Sequence, residues 1–407
     1  MSDSIACEIR TTGTPVAGLR VVRPARERLV TPQFARLLVM VFGSGLSMYL
    51  LTSVVPLYLA ANGSGGIGAG LSTGAMMLSA VAMELLVPAM LVRYGYRGTL
   101  GLGLVLLGAP SLALLATASL PLVLAVCVVR GAGLAILVVG AVALVAELTP
   151  AHRRGEGLGV YGVVVGLPAG IGLPLGVYLT SVVGFGALFV LAAVASLAGL
   201  AVLPAMPGRS TGSSGQEEQQ HVEVLGGLRG SGLLMPTFVF AAVTVAAGIS
   251  VTFVPLAVAD DKHSLVAVAL LIQSVTAPLA RWLAGRFGDR FGPVKLLAPA
   301  LVLAFLGAAM LVFIGNSAAV LVGATLFGIG FGAAQNLTLA TMYNRSPKSR
   351  YGQVSALWNL AYDGGWGLGA MVFGLIVAGT GYPVAFGLTA AIVALAILPA
   401  ARASLSA

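Results

Sequence analysis

Three ionisable side chains interrupt stretches of sequence that are otherwise almost wholly apolar: Glu84, Arg130 and Asp363. A charge in such surroundings costs about 2.5–3.5 kcal/mol on membrane-insertion scales, and groups of this kind ordinarily face a partner or a water-filled path. Arg130 lies nine residues into the apolar run 121–147, about 14 Å along a helix. It can hold a carboxylate or an anionic ligand, or it can pair with backbone carbonyls. Asp363 lies ten residues into the run 353–379, within Tyr362-Asp363-Gly364-Gly365-Trp366. Burial disfavours its charged form and a nearby arginine favours it, and a carboxyl balanced between the two suits proton exchange; a packing role against neighbouring backbone is the alternative. Glu84 can titrate or pair with a basic group near the membrane surface. Gln335 and Asn336 offer hydrogen bonds either to a bound solute or to neighbouring helices. Tyr49, Tyr58 and Phe253 can line an apolar pocket or serve as packing and interface anchors.

The other reactive residue types form no constellation. The two cysteines, Cys7 and Cys127, and the three histidines, His152, His221 and His263, are scattered. They give no metal-ligand spacing and no disulfide framework. There is no nucleophile–base arrangement or acid pair of usable spacing, and no Gly-x-x-x-x-Gly-Lys-Ser/Thr phosphate loop. An enzyme, a metal site, a cofactor and ATP drive are therefore not expected.

Long elements are needed to hold the buried charges. Of the 407 residues, 58% are hydrophobic and 9% charged, against roughly 25% charged in a soluble domain. Apolar segments fall at about 35–60, 67–92, 99–119, 121–147, 157–180, 183–205, 233–259, 264–284, 294–314, 318–342, 353–379 and 382–401. About 20 apolar residues cross a hydrocarbon core as a helix, and inside lipid every backbone polar group must be paired within the segment. The prediction is an all-α integral membrane protein of twelve transmembrane helices. Residues 207–232, with Gly-Ser runs and Gln216 to Gln220, read as a flexible linker. The predicted organisation is a tail over 1–33, a six-helix bundle over 34–206, the linker, a second bundle over 233–402 and a short tail over 403–407.

The net charge of +9 is a topology signal. Loops after the even-numbered helices hold Arg93, Arg97, Arg153, Arg154, Arg209, Arg229, Arg286, Arg290, Lys295, Arg345, Lys348 and Arg350. Those after the odd-numbered helices hold Lys262 alone, beside Asp260 and Asp261. The positive-inside rule places both termini and the linker in the cytoplasm, with the chain in the cytoplasmic (inner) membrane of the cell. The arginines of the first 33 residues lack an apolar core beside them, so no cleaved signal is predicted. No basic face with stacking aromatics points to nucleic acid.

The two halves repeat one another. Val55-Pro56-Leu57 matches Val254-Pro255-Leu256 at an offset of 199. Arg93-Tyr94-Gly95 matches Arg290-Phe291-Gly292, Gly131-x-Gly133 matches Gly328-x-Gly330, and Thr149-Pro150-x-x-Arg153 matches Ser346-Pro347-x-x-Arg350, each at 197. Six helices per repeat is an even number, so both halves run the same way through the membrane. Parallel repeats about a central midplane site are a known transporter plan.

These residues resemble the major facilitator superfamily. Gly285, Phe287, Asp289, Arg290 and Gly292, with Lys295 following, fit the family's loop signature after helix 8. In the first-half copy Arg93, Gly95 and Arg97 remain, while Pro88 and Val92 stand where the signature has Gly and Asp. The resemblance implies that these residues form a cytoplasmic gate. Arg130-Gly131-x-Gly133 looks like the family's arginine-bearing helix-4 motif, which implies a part in proton coupling. Gly162, Gly166, Pro168, Gly170, Gly172, Pro174 and Gly176 are similar to the Gly/Pro-rich helix 5 of drug antiporters, with Leu167 and Leu173 breaking the Gly-Pro pairs. The family's fold and a proton-driven exporter of small amphipathic drugs or metabolites are what this likeness implies. Its partners would be a small-molecule substrate, protons and the lipid bilayer, with the chain acting as a monomer. An importer or facilitator of a small polar solute is the alternative within transport, and a non-transporting receptor or scaffold the alternative outside it. Loops this short hold no sizeable extramembrane domain.

Overall fold

The computed structural model describes residues 31–150, 153–208, 232–258, 262–347 and 350–405. The tail 1–33 and the linker 207–232 thus lie almost wholly outside the described residues. Among the described residues, ten helical runs are long and apolar enough to cross a membrane. Two of them are double. Pro32–Glu84 runs for 53 residues and Glu156–Ala205 for 50, yet the first leaves helical geometry at Asn62 and Gly63 and the second at Gly184. Each is long enough for two crossings, so the described residues form twelve spanning helices, the number the sequence predicts. We number them α1 (32–59), α2 (65–94), α3 (96–115), α4 (Leu120–Leu148), α5 (154–183), α6 (185–205), α7 (Leu234–Ala257), α8 (His263–Phe291), α9 (Pro293–Met310), α10 (Ser317–Asn344), α11 (Tyr351–Thr380) and α12 (Tyr382–Leu405).

Local sequence explains where these helices begin and turn. The Thr31 hydroxyl accepts the Phe34 N–H at 3.2 Å and Pro32 follows it, which is N-capping with proline in the first turn. Asn316 caps α10 by accepting from the backbone N–H groups of Ala318 and Ala319 at 2.9 and 3.3 Å. The tight turns fall at Gly95 (φ 68°), Gly184 (φ 76°), Gly292 (φ 88°) and Gly381 (φ 77°). Only glycine enters that region without steric cost. Gly95 and Gly292 are 197 positions apart, as are Gly184 and Gly381, so the repeat seen in the sequence recurs in the backbone.

Each half encloses its own apolar core. In the first half Phe34, Leu37, Leu100, Leu104 and Leu144 are fully buried, and in the second Phe240, Leu297, Leu301, Ala304 and Val393 are. Arg97 Nε donates to the Met206 carbonyl at 2.6 Å, tying the start of α3 to the end of α6. The halves meet along two helix pairs that the repeat interchanges, α2 with α11 and α5 with α8. Gly66, Gly70 and Gly74 of α2 lie against Val377, Gly374, Ala370, Met371 and Gly367 of α11. A side chain at Gly374 would put its Cβ 2.5 Å from the Gly66 carbonyl oxygen. Small residues at this spacing let backbones touch in lipid, where packing replaces the hydrophobic effect as the force between helices.

Candidate functional site

Contacts between the halves concentrate on the side of the membrane away from the linker. The Ser53 hydroxyl, at a one-residue interruption of α1, donates to the Val251 carbonyl of α7 at 2.9 Å. Thr73 of α2 and Thr252 of α7 share a hydroxyl–hydroxyl bond of 3.2 Å. Phe253 is fully buried, 4.4 Å centroid to centroid from Phe373 of α11, and lies beside Gly66. Near the middle, Ser274 of α8 donates to the Ala169 carbonyl of α5 at 3.3 Å. On the linker side of this seal, several residues from both halves face one another and keep accessible surface.

Two carboxyl groups mark the linker-side end of the α2–α11 register. Glu84 and Asp363, both half-buried, lie within hydrogen-bonding reach of each other. One carboxyl belongs to the first half and its partner to the second. A carboxyl accepts a hydrogen bond from another carboxyl only when one of the two carries a proton. Tyr49 of α1 is near enough to Asp363 for direct electrostatic interaction, and so is Tyr362. The sequence places Glu84 and Asp363 in separate helices; the fold makes them a pair.

An aromatic ladder climbs α11 beside them. Trp358, Tyr362 and Trp366 recur at the four-residue spacing of one helix face, with neighbouring centroids 5.8 and 5.6 Å apart. Phe240 of α7 stacks on Trp358 at 4.4 Å, and Phe331 of α10 approaches Tyr362 at 6.4 Å. The Trp358 indole donates to Thr338 at 3.3 Å, whereas the buried Trp366 indole N–H has no partner among the described residues.

Arg281 completes this surface, and sequence reasoning passed it over. It lies ten residues before the linker-side end of α8, about 15 Å into the helix. Its guanidinium stands 6.0 Å from the Trp358 ring centroid and reaches Gln335 Oε1 at the long distance of 3.5 Å. Both neighbours lie inside the second half. Arg281 is nonetheless exposed, and Tyr362, near enough to it for direct electrostatic interaction, interacts in turn with Tyr49 of the first half.

The remaining candidates fall in other places. Arg130 is 1% exposed and donates to the Leu107 carbonyl at 2.5 Å and the Ser47 carbonyl at 3.1 Å. It is clasped within the first half, the carbonyl-paired arrangement of the two its position allowed. Tyr58 donates to the Leu114 carbonyl at 3.0 Å and packs on Phe185 and Phe189, so it braces the first bundle away from the gap. Phe253 belongs to the seal. Asn336 lies against Gly285 where α10 crosses α8, while Gln335 points to Arg281. In α5, Gly172 and Gly176 receive Tyr49 and Leu50 of α1, Pro168 touches Gly45, and no atom stands within 4 Å of where side chains at Gly166 and Gly170 would begin; Pro174 lies within the helix. In the loop motifs Gly95 and Gly292 make the turns. Arg93 and Arg290 lie over Tyr94 and Phe291 at 5.4 and 5.1 Å, and Asp289 is exposed.

Comparison with known proteins agrees with this architecture. The family described as Major Facilitator Superfamily matches residues 37–370 and, in a second placement, 238–405. No curated protein matches the chain. Among solved structures, a mutant of the nucleoside transporter NupG is 11% identical, with a TM-score of 0.72, covering 91% of this chain and 99% of its own. A POT family transporter in complex with 5-aminolevulinic acid is 14% identical, with a TM-score of 0.70, covering 90% of this chain and 94% of its own. A bacterial homolog of the human lysosomal transporter Spinster, inward-facing and unoccupied, is 16% identical, with a TM-score of 0.70, covering 91% of this chain and 96% of its own. At these identities the likeness is one of fold.

Proposed function

Because the chain belongs to the major facilitator superfamily and so is a membrane transporter, not an enzyme, we propose that it exports small amphipathic compounds in exchange for protons. The two halves, 34–206 and 233–402, rock about the gap described above, and the linker side is the cytoplasm of a cell whose inner membrane holds the protein. The bias of Lys and Arg toward the linker-side loops supports that orientation.

The observation that carries this reading is the Glu84–Asp363 pair. Two carboxyls that meet in a gap repel each other when both are ionised and cohere when they share a proton. They sit on opposite halves, so rocking changes their separation. Protonation therefore favours the state in which they meet, and separation lets the proton leave. A proton site tied to the relative position of the halves is what converts a proton gradient into directed transport. The aromatic ladder of Trp358, Tyr362 and Trp366, half-buried at its first two rungs, supports an amphipathic substrate over a sugar-like one, which would call for dense hydrogen bonding.

Everted membrane vesicles test this directly. With an imposed proton gradient they should accumulate an amphipathic dye, and a protonophore should release it. Accumulation indifferent to the gradient, or full coupling in the Asp363→Asn variant, refutes the reading.

A further inference from the structure

We propose that Arg281 and the Trp358–Tyr362 rungs form a subsite for an aromatic compound bearing an anionic group, a carboxylate or its equivalent. This rests on the transport reading and narrows its substrate class.

An arginine cannot shed its proton in a protein, so its charge must be met by something. Inside a membrane protein that is ordinarily a carboxylate, a set of carbonyls or water in a path. Arg130 shows the second solution, held by the Leu107 and Ser47 carbonyls. Arg281 has no such clasp. Its polar contact is the long one to the amide oxygen of Gln335, and no carboxylate lies within ion-pair distance of it among the described residues. Glu84 and Asp363 interact with each other. What remains is a guanidinium with donors to spare, exposed about halfway along the path.

The ring surface next to it fixes the rest of the ligand. The Arg281 guanidinium lies 6.0 Å from the Trp358 centroid, and Tyr362 follows at 5.8 Å from Trp358. A planar aromatic body can lie along these rungs by offset or edge-to-face contact while its acidic group takes a forked pair of guanidinium hydrogen bonds. Lysine, a point charge, does not reproduce the fork.

Purified protein in detergent tests the subsite through three probes titrated by tryptophan fluorescence: 2-naphthoate, 2-naphthamide and cyclohexanecarboxylate. In the unaltered chain naphthoate should bind at least tenfold more tightly than either of the others. Arg281→Gln should bring naphthoate down to the level of the amide without changing amide binding, and Arg281→Lys should keep part of the preference. Because amide binding and the thermal midpoint are read on the same samples, a variant that fails to fold is recognised, and the lysine variant then carries the comparison. Naphthoate that binds no more tightly than the amide, including no binding of either, overturns the proposal, as does an Arg281→Gln protein that retains the preference. The assay uses no gradient, so a failure of proton-driven export would leave this result standing, and the reverse also holds.

Discussion

Replacing Gly374 by alanine should push the protein toward the state open on the side away from the linker. The new Cβ would stand 2.5 Å from the Gly66 carbonyl oxygen and 3.2 Å from Gly70 Cα. Ordinary carbon–oxygen contacts begin near about 3.3 Å, so α2 and α11 must separate by roughly 0.8 Å where they now touch. Overpacking of this kind costs about 1–3 kcal/mol. If the halves part here during transport, the cost falls on the sealed state alone and shifts the equilibrium by about 5- to 150-fold. A Ser53→Cys substitution reports the shift. Ser53 is 1% exposed and bonded to Val251 in the sealed state. With Cys7 and Cys127 replaced by serine and alanine, a membrane-impermeant maleimide added from the far side should label the introduced thiol several-fold faster in the Gly374→Ala background. The reasoning fails if Gly374→Ala lowers the thermal midpoint yet leaves the labelling rate unchanged. In that case the glycine contact is static packing present in every state.

Other outcomes follow from the same geometry. Asp363→Asn and Glu84→Gln should each abolish gradient dependence, and the double variant should be no worse than either alone, as expected of residues that act as one unit; additive losses in a vesicle transport assay would separate the two groups. Arg130→Leu removes two charge-assisted hydrogen bonds, each worth about 1.5–3 kcal/mol, and should lower the thermal midpoint markedly while leaving the binding affinity of the folded fraction within about threefold, checked by differential scanning fluorimetry and a binding titration. Gly292→Ala forces a side chain into a φ of 88° at about 1–2 kcal/mol, and should destabilise the second half with no change in substrate preference, read from thermal unfolding and competition binding.

The sequence carried the frame of this protein in full view. Span lengths, the offset of 197 and the placement of Gly95 and Gly292 all follow from local rules that one dimension preserves. Gly184 and Gly381 share the same offset but lack the flanking arginines that mark the other pair. The site was legible only in fragments. Glu84 and Asp363 stood out as single charges, but their meeting depends on the α2–α11 register, which glycine spacing sets in space. Arg281 escaped notice because it lies near the end of the run 264–284, close to Arg286 and Arg290. There it reads as an interfacial residue whose long side chain reaches out to water. The signal that identifies it is the Trp358, Tyr362 and Trp366 periodicity, a face that needs something to stand against. Tyr58 and Phe253 show the converse: the sequence leaves both pocket and packing open for them, because aromatic rings in apolar helices look alike until their partners are known.

The far-side seal of Ser53, Thr73, Val251, Thr252, Phe253 and their glycine neighbours is built from neutral groups. A transmembrane voltage does work on moving charge, about 2.3 kcal/mol per unit charge across 100 mV, and has no grip on hydroxyls, carbonyls and rings. In the proposed cycle, electrical sensitivity would enter through the charges inside the spans, Glu84, Arg130, Arg281 and Asp363. On that reading membrane potential would bear on the loading of the path, while the bolt that shuts its far end would answer to contact alone.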